Sequence, residues 1–483
     1  MRYVVLVPDG CADRPLRALD GRTPLEVSVT PHLDALSARS EVGRAAVIPD
    51  GMPPGSDVGN MAILGYDPEE FHTGRAPIEA AAMGVELAPD EVAYRCNLVT
   101  VDDDIMVDFA AGHLSSEQAV PIIEALSAAF AGDDVRFHAG VEYRHLAVLP
   151  GSAGDAECVP PHDLTGKAVV SPTGASAPTL IDLMERSRPV VAAAAERVDA
   201  TANQIWLWGQ GRSPVLADFA QRYGVEGRLS SAVDLVRGLG VLTGLGVVDV
   251  PGATAGFDND YGGQRDACLT SLEDRDFFLL HVEATDEAGH QGLVDEKVNA
   301  LERWDSEIIG PLVEGLDRLG PHRILMMPDH ATPLEMMTHS TDAVPYLIFD
   351  SERDTEGRPY TESAVANLPP VPGHTLLPRM LSRGQLTHYT EFVAEQWSRH
   401  FRFTSIRLRA RQPLFRSWRC RVRHDPGGSF SKTRSWHPHV CASGPFRSQH
   451  GNGGSSKEIP QRTDNNSQGT RRHHGEGRDT RPG

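Results

Sequence analysis

No run of about 18 apolar residues occurs in this 483-residue chain, so no segment reads as a membrane-spanning helix and no membrane partner is expected. Cysteine is sparse. The six (Cys11, Cys96, Cys158, Cys268, Cys420 and Cys441) have no paired spacing. That argues against a cysteine zinc site and a disulfide framework, and for a reduced, cytoplasmic setting. The N-terminal stretch is not expected to be a secretory leader. Met1 to Val7 carries only a short apolar run, Pro8-Asp9-Gly10 follows at once, and no small-residue cleavage site comes after. No Gly-x-Ser-x-Gly elbow is present, which disfavours a lipase-type serine. Cations are scarce in most of the chain. Residues 401–483 hold 17 Lys+Arg against 5 Asp+Glu, which leaves 29 against 61 for residues 1–400. An acidic body of this kind is not expected to bind nucleic acid. An anionic substrate would need a local cluster of cations or a metal.

What is present is a series of buried-strand patterns ending in acids. Tyr3-Val4-Val5-Leu6-Val7 is followed by Asp9, Phe277-Phe278-Leu279-Leu280 by Asp286, and Arg323-Ile324-Leu325-Met326-Met327 by Asp329 and His330. Near-continuous apolar runs of this length fit strands covered on both faces in an α/β sheet. Ligands of such sheets gather at the carboxyl ends of the strands. Asp286 and His290 stand four apart, so one helical turn points both side chains the same way. Two further features belong with them: Thr338-His339-Ser340, and Pro53-Pro54-Gly55-Ser56-Asp57-Val58, where Ser56 opens a helix-like run. At a helix N-terminus a serine is most often a cap, but the site also favours an anion. Three carboxylates, three imidazoles and a serine are enough ligands for two divalent ions, with mixed Asp and His donors suiting manganese, zinc or cobalt better than magnesium.

Between these features the pattern changes. Val107-Asp108-Phe109, Ala147-Val148-Leu149 and Ala168-Val169-Val170 read as short strands. Ser115–Phe130 reads as a helix with a serine cap, and Ala175–Arg186 as another. Residues 98–190 are expected to be a small α+β module inserted into a larger core of residues 1–97 and 191–384. Gln204–Trp208 is expected to return the chain to the large sheet, ahead of Gly209-Gln210-Gly211-Arg212, a weak phosphate-loop pattern. A long amphipathic helix is expected over Glu296–Leu319, with a kink at Gly310-Pro311. Residues 385–483 lose periodicity and turn basic, a disorder signature. They look more like translation in a wrong frame than a domain, and no aromatic interleaving or RNA-binding motif supports a nucleic-acid role.

The stretches Val7-Pro8-Asp9-Gly10, Pro53–Val58, Leu64-Gly65-Tyr66-Asp67-Pro68, Gly74-Arg75-Ala76-Pro77, Asp286–His290 and Asp329-His330-Ala331-Thr332-Pro333 together resemble the alkaline phosphatase superfamily. Within it they are most similar to the cofactor-independent phosphoglycerate mutases of archaeal type. The resemblance covers residue 1 to about residue 384. It implies a three-layer α/β core with a mostly parallel sheet, an inserted lid, and an isomerase that interconverts 3- and 2-phosphoglycerate without 2,3-bisphosphoglycerate. It also implies that Ser56 carries the phosphoryl group. One ion, most expected to be Mn2+ with Mg2+, Co2+ or Zn2+ as alternatives, would be held by Asp286, His290 and His339. A second would be held by Asp9, Asp329, His330 and the Ser56 oxygen. His113, Arg144 and His162 of the lid and Arg212 of the core are candidate grips on a small phosphorylated substrate. One departure stands out: the family usually has a lysine after Tyr-x-Gly, and here Tyr261-Gly262-Gly263 is followed by Gln264. The alternative within the same chemistry is a related phosphotransferase, such as a homoserine kinase, or a phosphatase using the same serine. Oligomeric state is not legible from the residues.

Overall fold

The computed structural model describes residues 1–382. The tail expected to be disordered, with Cys420 and Cys441, lies outside the described residues. Among the described residues, thirteen strands form two sheets: β1 Arg2–Pro8, β2 Glu41–Ala46, β3 Glu91–Asp102, β4 Ile105–Asp108, β5 Arg136–Val141, β6 Arg144–Pro150, β7 Gln204–Gly211, β8 Gly227–Ser230, β9 Gly246–Val247, β10 Phe277–Val282, β11 His322–Met326, β12 Val344–Asp350 and β13 Val371–Pro372. The large sheet runs β13-β2-β12-β11-β1-β10-β8-β9. Its pairings are parallel except β11 with β12 and β12 with β2. The expected α/β core with a mostly parallel sheet is therefore what the chain forms.

Alternation along the strands explains the layering. Val5, Val7, Leu279 and Leu325 face one apolar core, and Val4, Leu6, Phe278, Leu280, Ile324 and Met326 face another. A strand with two buried faces needs apolar residues at every position, which is why these segments read as unbroken apolar runs. The central strands are in parallel register, with Leu6 beside both Leu280 and Met326. Their carboxyl ends therefore open at one edge of the sheet, and the acids that follow them meet there.

The second sheet has the order β4-β3-β6-β5, with β7 on the other side of β3. Here the structure corrects the expectation for Gln204–Trp208. This strand pairs antiparallel with β3, Leu98 opposite Ile205 and Cys96 opposite Leu207, instead of joining the large sheet. Its apolar residues pack with the helices Ser116–Ala129 and Ala177–Arg197, and periodicity alone cannot say which sheet a buried run joins. The strands of this sheet thus span residues 91–211, wider than the expected 98–190. Ala168–Val170 forms no strand and makes a single bridge, Ile105 with Ala168. The helix expected over Ala175–Arg186 runs on to Arg197. Ser115 caps its helix as expected, in a reciprocal box with Gln118.

The long helix after β10 is helical over Val294–Arg303, widens to a π turn over Trp304–Ile309 and resumes over Gly310–Leu319. The expected irregularity at Gly310-Pro311 takes this form because Pro311 has no N–H to continue the ladder. The four free cysteines Cys11, Cys96, Cys158 and Cys268 form no disulfide among the described residues.

One contact ties the Ser56–Ile63 helix to the end of β11. A Cβ on Gly59 would lie 2.2 Å from the carbonyl oxygen of Asp329. Only a residue without a side chain lets these backbones approach. Gly59→Ala is expected to destabilise the protein by about 1–3 kcal/mol through overpacking, read by denaturant unfolding. An unchanged midpoint would show that the two segments separate without cost.

Candidate functional site

The carboxyl edge of the large sheet gathers every acid and imidazole singled out as a metal ligand. Asp9 follows β1, Asp286 lies in the first turn of the helix Ala284–Gln291 that follows β10, and Asp329 and His330 follow β11. Asp9, Asp329 and His330 are fully buried and Asp286 nearly so. The Asp286–His290 spacing does what one helical turn should: His290 Nε2 lies 3.2 Å from Asp286 Oδ2. His339 comes in from the loop before β12, its Nε2 at 3.5 Å from Asp286 Oδ1 and 2.9 Å from His290 Nε2. His330 Nε2 stands 3.5 Å from Asp329 Oδ2 and 3.6 Å from Asp9 Oδ1. Ligand atoms of Asp286, His330 and His339 lie within 4.8 Å of one another, as do those of Asp9, Asp329 and His330.

Ser56 is the first residue of its helix, and Gly55 occupies the cap position. The capping explanation for the serine therefore falls away. Its Oγ instead lies 3.3 Å from His330 Nε2. One turn later Asn60 donates from Nδ2 to the Ser56 carbonyl at 3.0 Å and to Asp329 Oδ2 at 2.8 Å, which locks the serine's helix to the acid.

Protein groups compensate this cluster only in part. Both carboxylate oxygens of Asp9 are buried without a hydrogen-bond partner, and a buried anion without a partner is costly. His281 Nε2 approaches Asp9 Oδ2 at 3.1 Å, but without the alignment of a hydrogen bond. Burial, with Asp329 and Asp286 close by, pushes the Asp9 carboxyl well up. Burial also works to raise Asp286, but hydrogen bonds from His290 and His339 hold it well below the carboxylate range. Burial lowers His330 to about 4, which leaves its imidazole neutral and able to offer a lone pair. Clustered carboxylates and imidazoles with orphaned acceptor atoms are the donor set of a divalent cation, and the residues present fit such an ion.

A cavity of about 640 Å³ opens above the cluster, with Ser56, Asp286, His290 and His339 in its wall. The second sheet supplies the facing wall. Of the four expected grips, His113 and Arg144 line this cavity. His162 is not among its lining residues and packs in an aromatic cluster with Phe109 and Trp208. Arg212 is elsewhere. Its guanidinium donates to the carbonyls of Pro89 and Gly151 at 3.1 and 3.0 Å, so it ties loops together and does not face the cavity.

Residue patterns alone missed two arginines. Arg75 and Arg95 line the cavity, and Arg95 is almost buried, 3.0 Å from Glu79 and stacked over Trp208 at 4.4 Å. Arg75 sits in the Gly74-Arg75-Ala76-Pro77 stretch and could have been found there, whereas Arg95 lies inside an apolar strand and carried no signal. Gln264 does not line the cavity. It is buried and satisfied, donating to the His281 carbonyl at 3.0 Å and Ser230 Oγ at 3.3 Å and accepting from Asn259.

Comparisons with known proteins agree with this architecture. The family model of the 2,3-bisphosphoglycerate-independent phosphoglycerate mutases matches residues 37–195. The 2,3-bisphosphoglycerate-independent phosphoglycerate mutase of Methanothrix thermoacetophila is 48% identical over 360 residues, covering 73% of this chain and 91% of that protein. A probable enzyme of the same name from Geobacter sulfurreducens is 43% identical over 364 residues, with the same two coverages. Among solved structures, the PH0037 protein of Pyrococcus horikoshii superposes with a TM-score of 0.66 at 27% identity, covering 79% of this chain and 96% of that one. The cofactor-independent phosphoglycerate mutase of Thermoplasma acidophilum shares the fold, with a TM-score of 0.55 at 22% identity over 79% of this chain and 99% of that one. Identity of this order across nearly the whole length of the relatives places the chain: it belongs to the 2,3-bisphosphoglycerate-independent phosphoglycerate mutase family.

Proposed function

We propose that the protein interconverts 3-phosphoglycerate and 2-phosphoglycerate by passing the phosphoryl group through Ser56. The observation that carries this reading is the placement of the Ser56 hydroxyl beside three buried carboxylates and three imidazoles, at the wall of a cavity sized for a small ligand. Two divalent ions suit the donors, Mn2+ first and Mg2+, Co2+ or Zn2+ after it. Asp286, His290 and His339 would hold one, and Asp9, Asp329, His330 and the Ser56 oxygen the other. When bound, such ions acidify a hydroxyl and neutralise phosphoryl oxygens.

The chain's own groups do the rest. Ser56 Oγ forms the new bond to phosphorus as the ester bond to the glycerate oxygen breaks, and the serine proton ends on that departing oxygen. The glycerate stays in the cavity and turns. Its other hydroxyl then takes the phosphoryl group from Ser56 and returns a proton to it. Arg75, Arg95, Arg144 and His113 suit the substrate's carboxylate and phosphate oxygens. The inserted module acts as a lid. Its wall keeps water from the phosphoserine, since water there would convert transfer into hydrolysis.

In an enolase-coupled assay with Mn2+, 3-phosphoglycerate is expected to give 2-phosphoglycerate. Release of inorganic phosphate instead would replace the mutase with a phosphatase. Ser56→Ala is expected to lower turnover by at least about 10³-fold with an unchanged unfolding midpoint. Retained turnover in that variant would contradict transfer through the serine. Stripping metal with a chelator should abolish activity, and adding Mn2+ should restore it and raise the melting temperature. Arg144→Ala should raise KM about tenfold or more through loss of a charged hydrogen bond, with little change in the metal needed for half-activation.

A further inference from the structure

Thr332 has no part in the ligand set above, yet it is fully buried between its two halves. Its hydroxyl donates to Asp286 Oδ1 and lies 3.2 Å from His330 Nδ1. An ionised carboxylate can only accept, so the Thr332 proton is committed to Asp286. The Thr332 oxygen is then left as an acceptor toward His330, which requires the proton of that imidazole to be on Nδ1. The lone pair of His330 is thereby on Nε2, the atom facing Ser56, Asp329 and Asp9. The same bond orients the Asp286 carboxylate, with Oδ1 toward Thr332 and His339 and Oδ2 toward His290.

The surroundings hold Thr332 in this position. Its N–H donates to the Ala12 carbonyl at 3.2 Å. Its carbonyl accepts from Lys297 Nζ at 2.8 Å, and Lys297 is itself fully buried against Asp13 at 2.9 Å. The elements on either side have been cleared for it. A Cβ on Gly10 would lie 2.5 Å from the Thr332 hydroxyl, and one on Gly289 would lie 2.7 Å from its methyl group. Both glycines sit in the acid-bearing motifs, Asp9-Gly10 and Asp286–His290.

We propose that Thr332 is a positioning residue that couples the two ligand sets, fixing His330 as the Nδ1–H tautomer and fixing the orientation of the Asp286 carboxylate. The inference rests on reading these residues as metal ligands. Partners behind metal-binding histidines commonly set tautomer and orientation, and their loss costs about 10–100-fold in metal affinity. Here one hydroxyl would serve a histidine of one set and a carboxylate of the other.

The test uses the full chain stripped of metal and titrated with Mn2+ by calorimetry. Thr332→Val removes the hydroxyl and keeps the shape, and is expected to weaken Mn2+ binding by about 10–100-fold. Thr332→Ser, which restores the hydroxyl, should bind close to wild type. Metal-free melting temperatures of the two variants should agree with each other, separating positioning from packing. Wild-type Mn2+ affinity in Thr332→Val, or equal loss in both variants, would overturn the proposal. A second readout needs no variant. In a long-range proton–nitrogen spectrum of histidine-labelled wild type, His330 should carry its proton on Nδ1, and a proton on Nε2 would overturn the assignment. Neither readout uses turnover. A protein that binds Mn2+ as described but makes no 2-phosphoglycerate would retire the mutase and leave Thr332 in its role.

Discussion

Three buried carboxylates at the ends of three adjacent parallel strands are the constraint on which the rest of the structure depends. Asp9, Asp286 and Asp329 meet because β1, β10 and β11 run in parallel register and end together. Burial makes their charges expensive, and neither oxygen of Asp9 has a hydrogen-bond partner. Such a cluster is tolerable only with counter-charge, and His330, held neutral by burial, offers a lone pair to a cation and not a charge of its own. The acidic body of the chain sharpens the point. An anionic substrate approaching this edge meets a repulsive field except where the metal set and the arginines of the second sheet face the cavity.

The second sheet gives that cavity its other side. Its strands carry Arg95 and Arg144 toward the space above Ser56, and its hydrophobic core is separate from the two cores of the large sheet. A small buried cluster of Ala76 and Ala80 with Ala93 and Leu146 joins the second sheet to the rest of the chain. The proposed transfer through Ser56 would need this wall, because a phosphoserine must meet a glycerate hydroxyl before it meets water.

The edge of acids and imidazoles was legible in the residues because its signals are local. An apolar run followed by an acid reads as a buried strand with a polar end, and Asp286-x3-His290 reads as one helical face. The second sheet was less legible because its membership is decided by long-range pairing. Gln204–Trp208 has the composition of a core strand in either sheet, and only its packing against the helix Ala177–Arg197 and β3 assigns it. Arg212 looked like a phosphate ligand from the glycines before it, yet the fold spends it on two backbone carbonyls. Arg95 and Thr332 gave no warning, since a polar residue within a strand or beside a motif acquires meaning only from what stands across from it. Gln264 is a different lesson. Its amide replaces an expected cation but is fully engaged with Ser230, His281 and Asn259, and a neutral group suits a buried position of that kind.

The central claim is that Ser56 carries the phosphoryl group between the two hydroxyls of glycerate. The most direct measurement is acid quenching of the Mn2+-loaded protein during turnover of 3-phosphoglycerate, followed by mass spectrometry of the peptide containing Ser56. The account predicts phosphate on Ser56 in the quenched enzyme and none without substrate. Steady formation of 2-phosphoglycerate with phosphate on another residue, or with no phosphoenzyme at any quench time, would contradict it.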